Sequence, residues 1–216
     1  MQAVEIETGS NPVGAVIWLH GLGADGHDFE PVVPELRLKR AVRYIFPHAP
    51  IRPVTINMGM RMRAWYDIFQ FGGGPEDGAG IRASQKILEE LIGQEMRRGL
   101  TPRQIVLAGF SQGGAIALHT GLRFAERLAG ILALSTYLPL ASTVEEEASP
   151  ENRDVPIFMA HGEFDDIIPL RRAEGSRELL AKLGYKIEWR AYPMPHSVCA
   201  PEIGDIAKFL AQVLED

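Results

Sequence analysis

The chain has 216 residues, enough for one sizeable packed domain on a loose scale of about 150 residues per domain. Its 46% hydrophobic and 23% charged residues exclude a disordered, collagen-like or coiled-coil chain. The 22 basic against 28 acidic side chains leave a formal charge of -6, which repels a polyanion and argues against nucleic acid as a partner.

Residues Met1 to Thr8 carry neither the basic start and apolar run of a signal peptide nor the basic character of a transit peptide. The longest apolar stretches, such as Leu128 to Leu134, fall far short of the roughly 20 residues that cross a bilayer. A single cysteine, Cys199, cannot form an intramolecular disulfide and fits a reducing compartment. The expectation is a soluble, cytoplasmic chain with no transmembrane segment.

In chain order, short aliphatic runs alternate with amphipathic segments. Strands are expected at Ala15 to Leu19, Val42 to Phe46, Ile105 to Ala108, Gly130 to Leu134, Pro156 to Ala160 and Lys186 to Tyr192. Helices are expected around Phe29 to Leu36, Ala79 to Arg98, Gln112 to Arg127, Arg171 to Leu183 and Glu202 to Leu214. This order predicts an α/β domain: a mostly parallel sheet, buried on both faces by helices. Between Ile51 and Glu76 no period holds, yet Met58, Met60, Met62, Trp65, Tyr66, Phe69 and Phe71 make the segment too apolar for a solvated linker. Thr143 to Asp154, with four glutamates, reads as a solvated loop or short helix.

The strongest chemical signal is Gly109-Phe-Ser-Gln-Gly-Gly114, which follows one expected strand and opens a helix. It matches G-x-S-x-G in the strand-turn-helix context that pushes a serine hydroxyl out above a sheet edge. Ser111 would then stand at a helix N-terminus, where backbone N-H groups favour an oxyanion. A serine nucleophile needs a base, expected later in the chain and after its acid. Of the two later histidines outside the serine's own helix, His161 suits the turn that presents the acids. His196, on a loop held off helix by Pro193 and Pro195, is the better base. Glu163, Asp165 and Asp166 compete as the acid.

His119, mid-helix, reads as a packed residue and His48 as a turn residue, and zinc chemistry has little support without H-E-x-x-H or paired ligands. Gly21-Leu-Gly-Ala-Asp-Gly26 satisfies G-x-G-x-x-G, but positions 38 to 50 contain no acid to bind a ribose, so the dinucleotide reading fails. The alternative role of His20-Gly-Leu-Gly23 is a loop lending a backbone N-H to the oxyanion.

Together, His20-Gly-Leu-Gly23, Arg63-Ala-Trp-Tyr-Asp67, the Ser111 hexapeptide, His161-Gly-x-x-Asp165-x-Ile-Ile-Pro169 and His196-Ser197 resemble the phospholipase/carboxylesterase family, in order from about Val13 to Cys199. The resemblance implies one α/β-hydrolase domain over residues 1–216 with no large cap, and no metal or organic cofactor. It implies Ser111 as nucleophile, His196 as base, Asp165 as acid, and the backbone N-H groups of Leu22 and Gln112 as oxyanion donors. It also places the Arg63-Ala-Trp-Tyr-Asp67 stretch near the site, which makes Trp65 the expected pocket wall; Met60, of the same apolar segment, is a further pocket candidate. The groove, the core and a subunit contact stay open as uses for that segment, and a homodimer is an expectation. Cys199, three residues from His196, reads as a packed neighbour of the catalytic loop. The expected activity is a serine carboxylesterase; alternatives are an acyl-protein thioesterase, a lysophospholipase, or a noncatalytic binding protein on the same fold.

Overall fold

A computed structural model describes residues 2–70 and 74–215; Phe71, expected in the apolar segment, and the glycines at 72 and 73 lie outside the described residues. The strands are β1 (Ala3–Glu7), β2 (Gly14–Leu19), β3 (Val42–Pro47), β4 (Ile51–Val54), β5 (Met60–Arg63), β6 (Ile105–Phe110), β7 (Gly130–Leu134), β8 (Ile157–Gly162) and β9 (Ile187–Tyr192). The helices are α1 (Val33–Leu36), α2 (Gly78–Arg97), α3 (Gln112–Arg123), α4 (Val144–Glu147), α5 (Leu170–Lys182) and α6 (Ala200–Glu215). Seven strands form one sheet in the order β1-β3-β2-β6-β7-β8-β9. All its pairings are parallel except β1 on β3.

Strands β2, β3, β6, β7 and β8 are buried almost throughout, as continuous aliphatic runs between two helix layers must be. One face packs Ile17, Leu107, Ile131 and Ile157 against Ile81 and Leu88 of α2, Ile116 of α3 and Leu180 of α5. The other packs Val16, Val106 and Phe158 against Val33 of α1 and Ile206, Phe209 and Leu210 of α6. Helix α3 is buried from Gln112 to Leu122, with no polar face left to solvent. Among the described residues, no helix is long and apolar enough to cross a membrane.

Three segments depart from the sequence-based expectations. Strand β1 was not expected: its Val-Glu-Ile-Glu alternation forms a half-exposed edge, tied down where Arg43 of β3 bonds Glu7 at 2.7 Å and the buried Glu95 of α2 at 2.6 Å. The stretch without a period contains the β4-β5 hairpin, turned through Met58 and Gly59, both at positive φ. The Phe29 to Leu36 helix is reduced to a 3-10 turn over Glu30–Val32 and the single turn of α1, each opening on a proline.

The acidic segment from Thr143 is more than solvated surface. Val144 and Asn152 are fully buried. The Asn152 amide accepts from the Leu128 N-H and donates to the carbonyls of Phe124 and Glu126, holding the chain where α3 stops at Arg123. Hydrogen bonds from Arg82 and then Arg123 hold the Glu147 carboxyl down at about 2.

At the start of α6 the half-buried Cys199 donates its backbone N-H to Oε2 of Glu202 at 3.4 Å. Glu202 is fully buried and its Oε1 has no partner, so desolvation pushes its carboxyl from 4.5 up to about 8. The folded chain therefore holds a proton that the unfolded chain releases above 4.5, and stability falls as pH rises through that window. Glu202→Gln removes the titration. In urea denaturation the variant should gain on wild type by on the order of 2–4 kcal/mol between about pH 5 and about pH 8. A constant difference across that range would contradict this account.

Candidate active site

The chain leaves β6 and enters α3 through Ser111, whose φ of 55° and ψ of -121° are strained for a residue with a side chain. The turn closes because neighbouring positions lack side chains. A Cβ on Gly109 would strike the backbone of Gly113 and Gly114, and one on Gly113 would strike the carbonyls of Leu19 and His20. The Ser111 N-H donates to Leu134 O at 2.9 Å, and Thr136 Oγ1 donates to Ser111 O at 2.7 Å. Those bonds anchor the strained residue to β7 and the loop after it.

Two other strand ends meet Ser111 at the carboxyl edge of the sheet. Beyond β9, His196 places Nε2 2.9 Å from Ser111 Oγ and Nδ1 2.7 Å from Asp165 Oδ2. A carboxylate only accepts, so Nδ1 carries the ring proton and Nε2 is free to accept from the serine hydroxyl. The loop after β8 carries Asp165, whose side chain is wholly buried. Its Oδ1 accepts from the N-H groups of Ile167 and Ile168 at 3.0 and 2.8 Å. The competing acids Glu163 and Asp166 are exposed.

His161 supports this turn from below, as its sequence position suggested. Its Nε2 lies 2.8 Å from Ile168 O and 3.3 Å from Asp165 Oδ2, so Nε2 carries the proton, and burial keeps the ring neutral by lowering its pKa. The loops that carry Asp165 and His196 are also joined directly. Glu163 N-H donates to Tyr192 O and Phe164 N-H to Met194 O, an approach that Gly162 permits because a Cβ there would strike the carbonyls of Met194 and Pro195.

The loop after β2 brings Gly21 and Leu22 to the same cavity as Ser111, Gln112 and His196. Gln112 opens α3 and lacks an intrahelical acceptor, and no hydrogen bond engages the Leu22 N-H among the described residues. His20 fixes this loop. Ala49 N-H donates to its Nε2 at 3.0 Å, so Nδ1 carries the proton and donates to Gly21 O at 2.7 Å. Desolvation lowers its pKa and keeps it neutral.

The cavity has a volume of about 270 Å³ between these loops and residues 66–70 and 74–77. Trp65 does not line it, contrary to expectation. The side chain is fully buried beneath, its Nε1-H donating to His20 O at 2.9 Å. Its backbone N-H donates to Gln112 Oε1 at 2.7 Å, while Gln112 Nε2 donates to Tyr66 O at 2.8 Å and Ser84 Oγ donates to Trp65 O. Met60 is also absent from the lining, since it sits on the β4-β5 hairpin with 61% of its surface exposed. Tyr66, of the same apolar segment, does line the cavity; the walls the sequence reading missed are Tyr137, Ile168 and Arg172, together with Phe110, whose ring lies 4.8 Å from that of His196. His119 is packed in α3, its Nε2 2.9 Å from Gln85 Oε1, and His48 accepts from Gly26 N-H at a turn. Among the described residues, no group of three or more His, Cys, Asp or Glu side chains is arranged to hold a metal.

A phospholipase/carboxylesterase family model matches residues 1–214. The chain is 43% identical to acyl-protein thioesterase 1 of Gibberella zeae, covering 95% of this chain and 92% of that one. It is 42% identical to acyl-protein thioesterase 1 of Neurospora crassa, over 92% and 86% of the two chains. Among solved structures, acyl-protein thioesterase 2 of Zea mays superposes with a TM-score of 0.87 at 27% identity, covering 99% of each chain. With serine, carboxylate and histidine on the carboxyl-edge loops after β6, β8 and β9 of such a sheet, and a family match that leaves only the last two residues outside, the chain belongs to the phospholipase/carboxylesterase family of α/β-hydrolases.

Proposed function

We propose that the chain hydrolyses carboxylic esters through an acyl-enzyme formed on Ser111. The carrying observation is the continuous relay Ser111 Oγ, His196 Nε2, His196 Nδ1, Asp165 Oδ2, with steps of 2.9 and 2.7 Å. As Oγ attacks the ester carbonyl, its proton passes to Nε2, and Asp165 stabilises the imidazolium. The carbonyl oxygen gains the charge and receives the N-H groups of Leu22 and Gln112, each such donor contributing about 3 kcal/mol to barrier reduction. His196 then gives its proton to the departing alcohol. Water, deprotonated by the same nitrogen, attacks the acyl-enzyme, and the acid leaves as Ser111 regains its proton.

A cavity of about 270 Å³ lies at the small end of ligand pockets, which favours short acyl groups enclosed by its walls. The second reading is thioester hydrolysis, supported by the acyl-protein thioesterases to which the chain is similar. Both readings use the same atoms, because a thiol leaves more readily than an alcohol.

Ser111→Ala should abolish both fluorophosphonate labelling and hydrolysis of a p-nitrophenyl ester, and labelling that survives would remove Ser111 as nucleophile. Asp165→Asn should lower kcat by on the order of 10⁴ with little change in KM, and Asp166→Asn should stay near wild type. A larger loss in the second variant would reassign the acid. For substrate class, kcat/KM measured on alkyl thioesters beside esters of the same acyl length should fall as the acyl chain outgrows the cavity. A steady rise up to palmitoyl would show that the chain binds outside it.

A further inference from the structure

One cation lines the cavity without an anion of its own. The guanidinium carbon of Arg172, in the first turn of α5, lies 3.4 Å from the ring centroid of Tyr137. No ion pair engages it among the described residues. The acids around it take hydrogen bonds from other groups but keep their charge, and Glu76 acts electrostatically on both Tyr66 and Tyr137. Asp67 accepts from the N-H and Oγ1 of Thr55. Asp77 accepts from the N-H groups of Gly80 and Asp67 and lies 3.8 Å from Arg52, and Glu76 accepts from Leu140 N-H at 3.0 Å. Asp28 stands exposed at the rim.

A guanidinium lying over an aromatic ring uses its face for the contact and keeps its N-H donors in the plane, where one reaches the Tyr137 phenol and the others can meet a planar anion. A second donor stands beside it. The phenols of Tyr66 and Tyr137 are 2.9 Å apart and share one hydrogen bond, so the accepting phenol retains a hydrogen for a third partner. Burial raises the pKa of both phenols and keeps them protonated as donors. All three side chains line the same cavity as Ser111 and His196.

We propose that Arg172 and the Tyr66-Tyr137 phenol pair form an anion-recognition subsite, and that the preferred esters carry a carboxylate or phosphate on the part that enters this cavity. The substrate class rests on Ser111 being the nucleophile; the anion site itself does not. Arg172 holds such a group by charge-assisted hydrogen bonds while the chemistry proceeds at Ser111.

Two measurements test the subsite and separate it from the hydrolytic reading. The first compares kcat/KM for matched p-nitrophenyl esters: glutarate monoester against pentanoate, and aryl acetates bearing carboxylate, phosphate, trimethylammonium or no charge. Wild type should prefer an anionic member, and Arg172→Gln should lower that preference by about 10- to 100-fold, mainly through KM, with partial recovery in Arg172→Lys. The carboxylate and phosphate arms identify which anion is held. The second titrates glutarate and phenyl phosphate into Ser111→Ala and Ser111→Ala/Arg172→Gln by calorimetry, which reads the site without turnover. Binding that depends on Arg172 upholds the subsite even if no ester is cleaved. Equal affinity in both proteins, no binding, or a preference for the trimethylammonium ester set by the cavity's acids overturns it.

Discussion

Everything in this site depends on how closely two pieces of backbone cross beneath Ser111. Where β6 becomes α3, Gly109 lies against Gly113 and Gly114, and Gly113 lies against the end of β2. No residue with a Cβ fits at 109 or 113 without moving main chain, and main chain in the middle of a buried sheet has nowhere to go. The crossing forces Ser111 into its strained φ and turns its hydroxyl outward. It also sets the loop after β2 beside the first turn of α3, so that Leu22 and Gln112 line the same cavity.

The Gln112 side chain extends this constraint into the neighbouring segment. By bonding the N-H of Trp65 and the carbonyl of Tyr66, it does for an irregular stretch what a strand partner does for a sheet edge. Trp65 in turn fills the space below and bonds the carbonyl of His20, whose ring orients Gly21. Helix α3, the cavity wall and the loop after β2 therefore share one buried polar network. Such a network is stiff only when its members are satisfied, and each of these bonds has its partner in place.

What could be read in the residues follows from how local each signal is. The elbow was legible because its chemistry is local: three glycines and a serine at fixed spacing, after an aliphatic run. The buried strands were legible because their hydrophobicity is continuous. Strand β1 escaped because an edge strand needs only alternate apolar residues, and its register with β3 depends on Arg43 and Glu7, 36 positions apart. The β4-β5 hairpin escaped because its strands carry Pro53, Arg61 and Arg63 and its Met58 and Met60 face solvent; the one local clue was Asn57-Met-Gly59. Trp65 was placed in the right neighbourhood but on the wrong side of the wall, since its direction is set by partners from α2, α3 and the loop after β2. Arg172 left no trace at all, being one of two adjacent arginines at the start of an ordinary amphipathic helix.

Helix α3, buried on every side, has a consequence for how the enzyme comes apart. Beyond its first turn, whose N-H groups have no intrahelical acceptor, its amides exchange through opening of the layers packed on both sides, so they belong to the slowly exchanging part of the molecule. His196 stands at the other extreme, half-buried on a loop between the exposed Pro193 and Pro195 and the start of α6. The strained backbone of Ser111 thus sits against the part that opens slowly, while His196 reaches it through side-chain hydrogen bonds from a loop half open to solvent.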